Sequence, residues 1–405
     1  MSDKKKILFV DDEAKVLRGI RRMLSFKSEE WDTTFAGNGP EALSALQEKS
    51  YDVIVTDIRM PGMDGATLLN NVKRLHPQMA RIALSGQTSQ ETIFKAIGPT
   101  HQFLSKPCDA EILETTITRI CSLQSLLKND KILGLISELE SLPSLSTLYT
   151  ELMEQLHSDN ASVEAVGEIV SRDVGMTAKI LQLVNSAFFG IKQRIANIPR
   201  AVTLLGLDTI KALVLSVKIF SQFTPLKLEN FSPSSLWDHS STVGKWSQLI
   251  AKMENADQIT VDYATLAGTL HDVGKLIFAT KIPQQYQESL SLMANENIPM
   301  YAAEREVIGT THAEVGAYLL GLWGFSTSIV EALAFHHKPA EIATKEFTAL
   351  TAVHAANVLA NESCIADNNH QTSVPIDMEY LSNLGLSERY TMWQEYCREH
   401  TQVGC

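Results

Sequence analysis

YDVIVTDIRMPGMDG, Tyr51 to Gly65, decides the fold of the first part of this chain. It holds an unbroken apolar run, Val53-Ile54-Val55, reaches a carboxylate at Asp57 and breaks at Pro61-Gly62. A short β-branched run bounded by turn residues reads as a strand buried on both faces. KKILFVDDE, Lys5 to Glu13, is a second such run ending in acids, and EALSALQEKS between the two has helical spacing. ARIALSG (80–86) and HQFLSKP (101–107) repeat the pattern of an apolar run followed by a small or polar turn. Strands alternating with helices predict a parallel sheet with helices on both faces. Ligand chemistry in such sheets lies at the carboxyl ends of the strands. Asp11, Asp12, Asp57, Ser85 and Lys106 all fall there.

Three carboxylates converging on one sheet edge repel each other. A hard cation relieves the repulsion, and Mg²⁺ suits oxygen ligands of this kind. With such an ion present, one carboxylate can attack a phosphoryl group, while a hydroxyl (Ser85) and an ammonium (Lys106) steady the developing charge. Taken singly, Asp57 reads more readily as a strand-end cap and Lys106 as a solvated lysine. The ordered set is far more specific: DD, then D followed by MPGMDG, then SG, then KP.

On those residues, the first 125 or so positions resemble a response-regulator receiver domain of two-component signalling. The resemblance implies a doubly wound, five-stranded parallel sheet of the flavodoxin-like kind. It implies Asp57 as phosphoacceptor and Mg²⁺ held by Asp11, Asp12, Asp57 and the backbone carbonyl of Arg59. Ser85 and Lys106 would contact the phosphoryl group, Phe103 would be the switch aromatic, and a sensor histidine kinase would be the donor.

From Glu111 the pattern turns helical. Leu113, Ile117, Ile120, Leu123 and Leu127 step by three or four and form one apolar stripe. The spacing predicts a long connecting helix running towards Leu142-Pro143, with a break expected near Asn129-Asp130 and residues 126–142 acting as linker. The stripe is available either for packing within the chain or for a homodimer. Beyond Pro143 the periodicity is helical throughout, so residues 143–405 are expected to be all-α.

Six of the eleven histidines fall between His239 and His354: His239, His271 beside Asp272, His312, the pair His336-His337, and His354. Imidazole and carboxylate together suit Fe, Mn, Zn or Ni. The fragments lie far apart in sequence, so each would come from a different helix of a bundle. Lys275 stands three residues after Asp272 and can donate to a bound phosphate. A lone histidine such as His239 or His354 also reads as a hydrogen-bonded core residue.

LPSLSTLYTELM, IVSRDVGMTAKILQLVNSAFFG, IPRAVTLLGLD, LAGTLHDVGKLI, THAEVGAYLLGLWGFSTSIVEALAFHHKP and VHAANVLA occur in that order. They resemble an HDOD domain, a helical signalling module related to the HD metal phosphohydrolases, with an HD-like part near 230–360. HDOD domains are regarded as regulatory and short of the full catalytic set. Here His239, His271, Asp272, Lys275, His312, His336 and His337 match positions that hold metal or phosphate in the HD-GYP phosphodiesterases. Two departures stand out: Asn357 replaces the late aspartate, and no Gly-Tyr-Pro segment follows the histidine pair.

Charge and composition narrow the function class. A formal net charge of −12 disfavours broad binding to phosphate backbones or anionic lipid, and no basic recognition helix follows the first domain. No apolar run reaches the roughly 18 residues of a membrane span, and the start does not read as a signal peptide. Cys108, Cys121, Cys364, Cys397 and Cys405 show no CxxC spacing, as expected of reduced thiols in a cytoplasm. Two functional readings follow. In the first, phosphorylation at Asp57 controls a helical output domain that binds a downstream protein or a nucleotide ligand. In the second, the output domain is a metal-dependent phosphodiesterase.

Overall fold

The computed structural model describes residues 4–86, 95–127, 130–144, 146–158, 161–186, 194–217, 221–222, 228–365 and 374–400. The first part is a parallel five-stranded sheet: β1 (Lys5–Val10), β2 (Trp31–Ala36), β3 (Val53–Asp57), β4 (Ala80–Ser85) and β5 (Gln102–Ser105), in the order β2-β1-β3-β4-β5. The period of two divides its side chains between two cores. Ile7, Phe9, Val53, Val55, Ile82 and Leu84 face one; Leu8, Val10, Ile54 and Ala83 face the other. Helices α1 (Ala14–Met23), α2 (Gly39–Glu48), α3 (Gly65–Leu75) and α4 (Ala110–Leu126) flank the sheet. The caps are local chemistry: Asn38 accepts from the Glu41 amide, Asp64 from Thr67 and Asp109 from Glu111.

The connecting segment is two helices. After α4 the backbone of Leu127 is extended, and α5 (Asp130–Ser137) begins afresh. The apolar spacing runs on across the break through Ile132, Leu133 and Ile136, so periodicity does not mark where the helix ends. The stripe from Leu113 to Leu127 is buried within the chain. The expected linker is equally buried, with Ile136 and Leu142 at 1% and 0% exposure, and one apolar core runs from β1 through this segment to Trp393.

The second part is helical: α6 (Ser146–His157), α7 (Val163–Ser171), α8 (Val174–Val184), α9 (Ile198–Leu205), α10 (Leu207–Lys211), α11 (Pro233–Met253), α12 (Gln258–Leu270), α13 (Val273–Lys281), α14 (Pro283–Glu296), α15 (Met300–Val307), α16 (His312–Leu322), α17 (Thr327–Phe335), α18 (Ala349–Ile365), α19 (Met378–Asn383) and α20 (Arg389–Glu399). The all-α expectation needs one correction. Pro143–Ser144 pairs in parallel with Ser221–Gln222. Two residues are too few to show an alternating pattern, so tertiary packing alone makes this pair. Cys108, Cys121 and Cys397 take part in no disulfide; Cys405 lies outside the described residues.

Ser137 at the end of α5 joins the parts. Arg81 in β4 is 1% exposed, and its Nη2 donates to the Ser137 carbonyl at 2.5 Å. His101 Nδ1 accepts from the Arg81 amide at 3.0 Å, so its proton sits on Nε2, which donates to the same carbonyl at 2.9 Å. Ser137 Oγ meets the Tyr318 hydroxyl of α16 at 3.2 Å.

Burial, and then the Arg81 charge, hold the His101 imidazole well below its ordinary value. The folded chain therefore refuses a proton that the unfolded chain takes up below about pH 6.5. The contribution is complete above that pH and declines as pH falls, by up to about 1.4 kcal/mol per unit. Urea-unfolding free energies measured between pH 7.5 and 5 are expected to fall less steeply in His101→Gln than in the wild type. Parallel slopes would contradict this role.

Candidate functional site

Two clusters gather chemistry, one on the sheet and one in the helical part. In the first, Asp11 directly follows β1 and Asp57 ends β3, at 1% and 8% exposure, with the exposed Asp12 beside them. Ligand oxygens of all three lie within 4.8 Å of one another. Lys106 Nζ sits between two of them, 2.6 Å from Asp11 Oδ2 and 2.9 Å from Asp57 Oδ2. Burial works against the Lys106 charge, but bonds to the two carboxylates outweigh it and raise its pKa. Ser85 ends β4, pairs with Ser105 across the sheet, and accepts from the Lys106 amide through its carbonyl at 2.8 Å. One ammonium among three carboxylates leaves an excess of negative charge, which fits a divalent hard cation. Arg59 is exposed on the loop after β3. Phe103 is half-buried on β5; with Trp323 and Gly324 it lines a groove between the two parts of the chain.

The second cluster is assembled at helix ends. α12 stops at Leu270 and α13 starts at Val273, so His271 and Asp272 form the joint. Asp272 occupies the N-cap position of α13 but makes no capping bond, which leaves its carboxylate to the pocket. His336 caps α17 with His337 following, His312 is the first residue of α16, and His239 lies within α11. His312, His336 and His337 offer ligand atoms within 4.8 Å of one another, and so do His239, His271 and Asp272. Asp272 touches both groups: its carboxylate oxygens lie 3.2 Å from His312 Nε2, 3.4 Å from His271 Nε2 and 3.8 Å from His239 Nε2.

The imidazoles are oriented from behind. His271 Nδ1 donates to the Gly268 carbonyl and His336 Nδ1 to the Leu333 carbonyl, each at 2.7 Å. His312 Nδ1 donates to Glu304 Oε2 at 2.6 Å. Pinning one ring nitrogen leaves the other as a lone pair facing the pocket, the arrangement of metal-ligating histidines. The Nε2 atoms of His271 and His336 are buried and make no hydrogen bond. Burial, and then the neighbouring histidines, push His336 and His337 well below the usual imidazole range; burial and His271 bring His239 to about 3. Burial would raise Asp272, yet His271 and Lys275 hold it well below the carboxylate range, and Lys275 Nζ donates to it at 2.7 Å. At His312 burial is outweighed by Glu304, which raises the imidazole; the lowered imidazoles of His239, His271, His336 and His337, with the ionised carboxylate, fit a transition metal such as Fe, Mn, Zn or Ni.

Asn357 also belongs to this pocket. Its Oδ1 accepts from His239 Nε2 at 3.0 Å and from Asn361 Nδ2 at 3.2 Å. His239 must give up that bond before its Nε2 can ligate anything. His354 is the core histidine its bland reading suggested: Nδ1 donates to the His336 carbonyl, and Nε2 accepts from the Asp377 amide. Glu304 escaped the sequence reading. It is fully buried on α15, at a position of the core-facing stripe formed by Ala303, Val307 and Ile308. A carboxylate on an apolar stripe was the available signal.

The pocket depends on two helices touching. A Cβ at Gly274 would fall 2.0 Å from the His312 carbonyl oxygen, so α13 and α16 approach only because this side chain is absent. Gly274→Ala is expected to cost about 1–3 kcal/mol of stability and to part Asp272 from His312. A urea titration reads the first effect and Co²⁺ absorption the second; unchanged Co²⁺ binding would refute it.

Comparison with known proteins follows the same division. Residues 7–118 match the response regulator receiver domain and residues 142–339 the HDOD domain. An uncharacterized protein of Treponema pallidum is 25% identical over 204 residues, covering 50% of this chain and 39% of that protein. The regulatory protein LuxO of Vibrio vulnificus is 35% identical over 100 residues, covering 24% of this chain and 22% of LuxO. The chain therefore spans well under half the length of these curated relatives. The MmoQ response regulator of Methylococcus capsulatus superposes with a TM-score of 0.49 at 25% identity, covering 63% of this chain and 97% of MmoQ. Among the described residues, no helix is long and apolar enough to cross a membrane.

Proposed function

We propose that this chain, which joins a response regulator receiver domain to an HDOD domain, takes a phosphoryl group on Asp57 and passes that event to its helical part. The helical part then engages a downstream protein or a small ligand. One observation carries the reading. The segment 102–106 has Lys106 on Asp57 at one end and Gln102 on the α16 carbonyls at the other. A change of charge at Asp57 therefore acts on the same strand that grips the helical part.

In the phosphorylation step an Asp57 oxygen bonds to phosphorus as the donor's leaving group departs. Lys106, already 2.9 Å from Asp57, is placed to pair with the new dianionic group, and the Ser85 hydroxyl to donate to it. Asp11, Asp12 and Asp57, with the Arg59 carbonyl, would hold Mg²⁺, which offsets charge on the phosphoryl oxygens when bound. In this reading the chain acts in the cytoplasm and a sensor histidine kinase is the donor. Acetyl phosphate with Mg²⁺ is expected to add one phosphoryl group to the wild type and none to Asp57→Asn, as read by intact-protein mass. Labelling retained in the variant would refute the assignment.

The unpartnered Nε2 atoms of His271 and His336 favour a second reading, a metal-dependent phosphohydrolase. Lys275 would steady the phosphate, and the His/Asp set would hold the metal. Against it, Asn357 brings no charge where the HD-GYP pattern has aspartate, and its oxygen occupies His239. Metal-loaded protein assayed on cyclic dinucleotides and generic phosphodiesters is expected to show no turnover. Turnover abolished by His271→Ala would replace the first reading with this one.

A further inference from the structure

The two clusters lie in different parts of the chain, and one helix reaches from the receiver contact to the histidine pocket. At its C-terminal end, Gln102 Nε2 donates to the carbonyls of Gly321 and Leu322, at 3.3 and 2.9 Å. These belong to the last turn of α16, whose carbonyls have no partner within the helix. Arg119 of α4 extends the grip. Its Nη1 donates to the Phe325 carbonyl at 3.0 Å and its Nη2 to Gln102 Oε1 at 3.2 Å. Tyr318 meets Ser137, and a Cβ at Gly321 would fall 2.2 Å from Leu123 Cδ1, so α4 lies directly on the helix.

At its N-terminal end, His312 is the first residue. Its Nε2 lies 3.2 Å from Asp272 Oδ1 and 3.0 Å from His337 Nε2. Between the two ends every residue except Glu314 is buried. A helix of this length, about 16 Å, packed on all sides, transmits displacement along its axis instead of bending. The ligand groups divide across it. His312 and the pair His336-His337 stand on α16 and at the end of α17. His239 and His271 stand on α11 and at the end of α12. Asp272 lies between the groups.

We infer that α16 is the rod through which the state of Asp57 sets the spacing of the two histidine groups, so that modification of the acidic pocket and metal occupancy of the histidine pocket are energetically linked. The inference rests on the proposed phosphoacceptor role of Asp57 and specifies where the helical part reads it. Linkage is reciprocal: each event alters the other's affinity by the same factor.

The test uses the full chain, beryllium fluoride with excess Mg²⁺ as mimic of the phosphorylated state, and Co²⁺ as probe of the histidine pocket. Co²⁺ affinity is read from its absorption, with His271→Ala identifying the site. In the wild type the mimic is expected to change Co²⁺ affinity by at least about threefold, and Co²⁺ to change beryllium fluoride affinity by the same factor. Gln102→Ala with Arg119→Ala is expected to keep both affinities and lose most of the factor. Tyr318→Phe, which removes one hydroxyl, is expected to lower it and stands in should the double variant not fold. Wild-type affinities that are independent of each other, or a factor undiminished in these variants, overturn the inference and leave Asp57 as phosphoacceptor intact. Co²⁺ absorption unaltered by His271→Ala overturns it as well. Failure of beryllium fluoride to bind removes the phosphoacceptor reading and the inference together.

Discussion

The carbonyls of residues 137 and 140 tie the two parts of this molecule together, because each accepts from a buried cation. Arg81 comes from the sheet. It spends donors on the carbonyls of Pro77, Met79 and Pro99 within its own domain and on Ser137 outside it. Lys179 comes from α8 on the other side, 2% exposed, and its Nζ donates to the Glu140 carbonyl at 2.5 Å and to Gln182 at 2.9 Å. Burial lowers Arg81 to about 10 and Lys179 to about 8. A buried charge without partners is far costlier than the net gain from one hydrogen bond. The segment between the domains is therefore gripped from both sides by groups that cannot release it cheaply, and the receiver and the helical part share one core.

That shared core gives the two pockets a mechanical relation. The acidic pocket lies at the carboxyl-terminal edge of the sheet, where two buried carboxylates and an ammonium meet the exposed Asp12. The histidine pocket is built at helix joints, where imidazoles have their Nδ1 atoms committed to carbonyls or, at His312, to Glu304. The pockets differ in ligand chemistry, and so in the cations they suit. Their connection runs through close approaches that tolerate no added side chain, at Gly274 and Gly321. Packed interfaces of this kind move between discrete arrangements more readily than they deform continuously.

Asn357 puts a neutral amide into the histidine pocket. The amide is held by Asn361 and turned to accept from His239. The histidine is thereby satisfied without a metal, while His271 and His336 are not. The pocket therefore contains an internal competitor for one of its possible ligands.

Much of this was legible in the residues themselves. A strand buried on both faces leaves a continuous apolar run, so Val53-Ile54-Val55 and its neighbours announced a parallel sheet, and the acids at the strand ends marked the first pocket. The helical second part was equally plain, and its histidines stood out because so many fall in one region. What sequence could not supply was proximity. Asn129-Asp130 suggested the break between α4 and α5, but the apolar spacing that continues across it does not show what either helix packs against. Arg81 sits in an apolar run and Glu304 on an apolar stripe, a local sign of burial that does not reveal which group each one meets. Whether Ser137, Tyr318 and Gln102 meet is decided by how helices far apart in the chain pack. Residue type and period are local properties, so the sequence alone settled elements and candidate chemistry. Partnership between distant groups exists only once the core has closed, so the tertiary structure alone decided which groups face each other and which nitrogen atoms are left without a hydrogen bond.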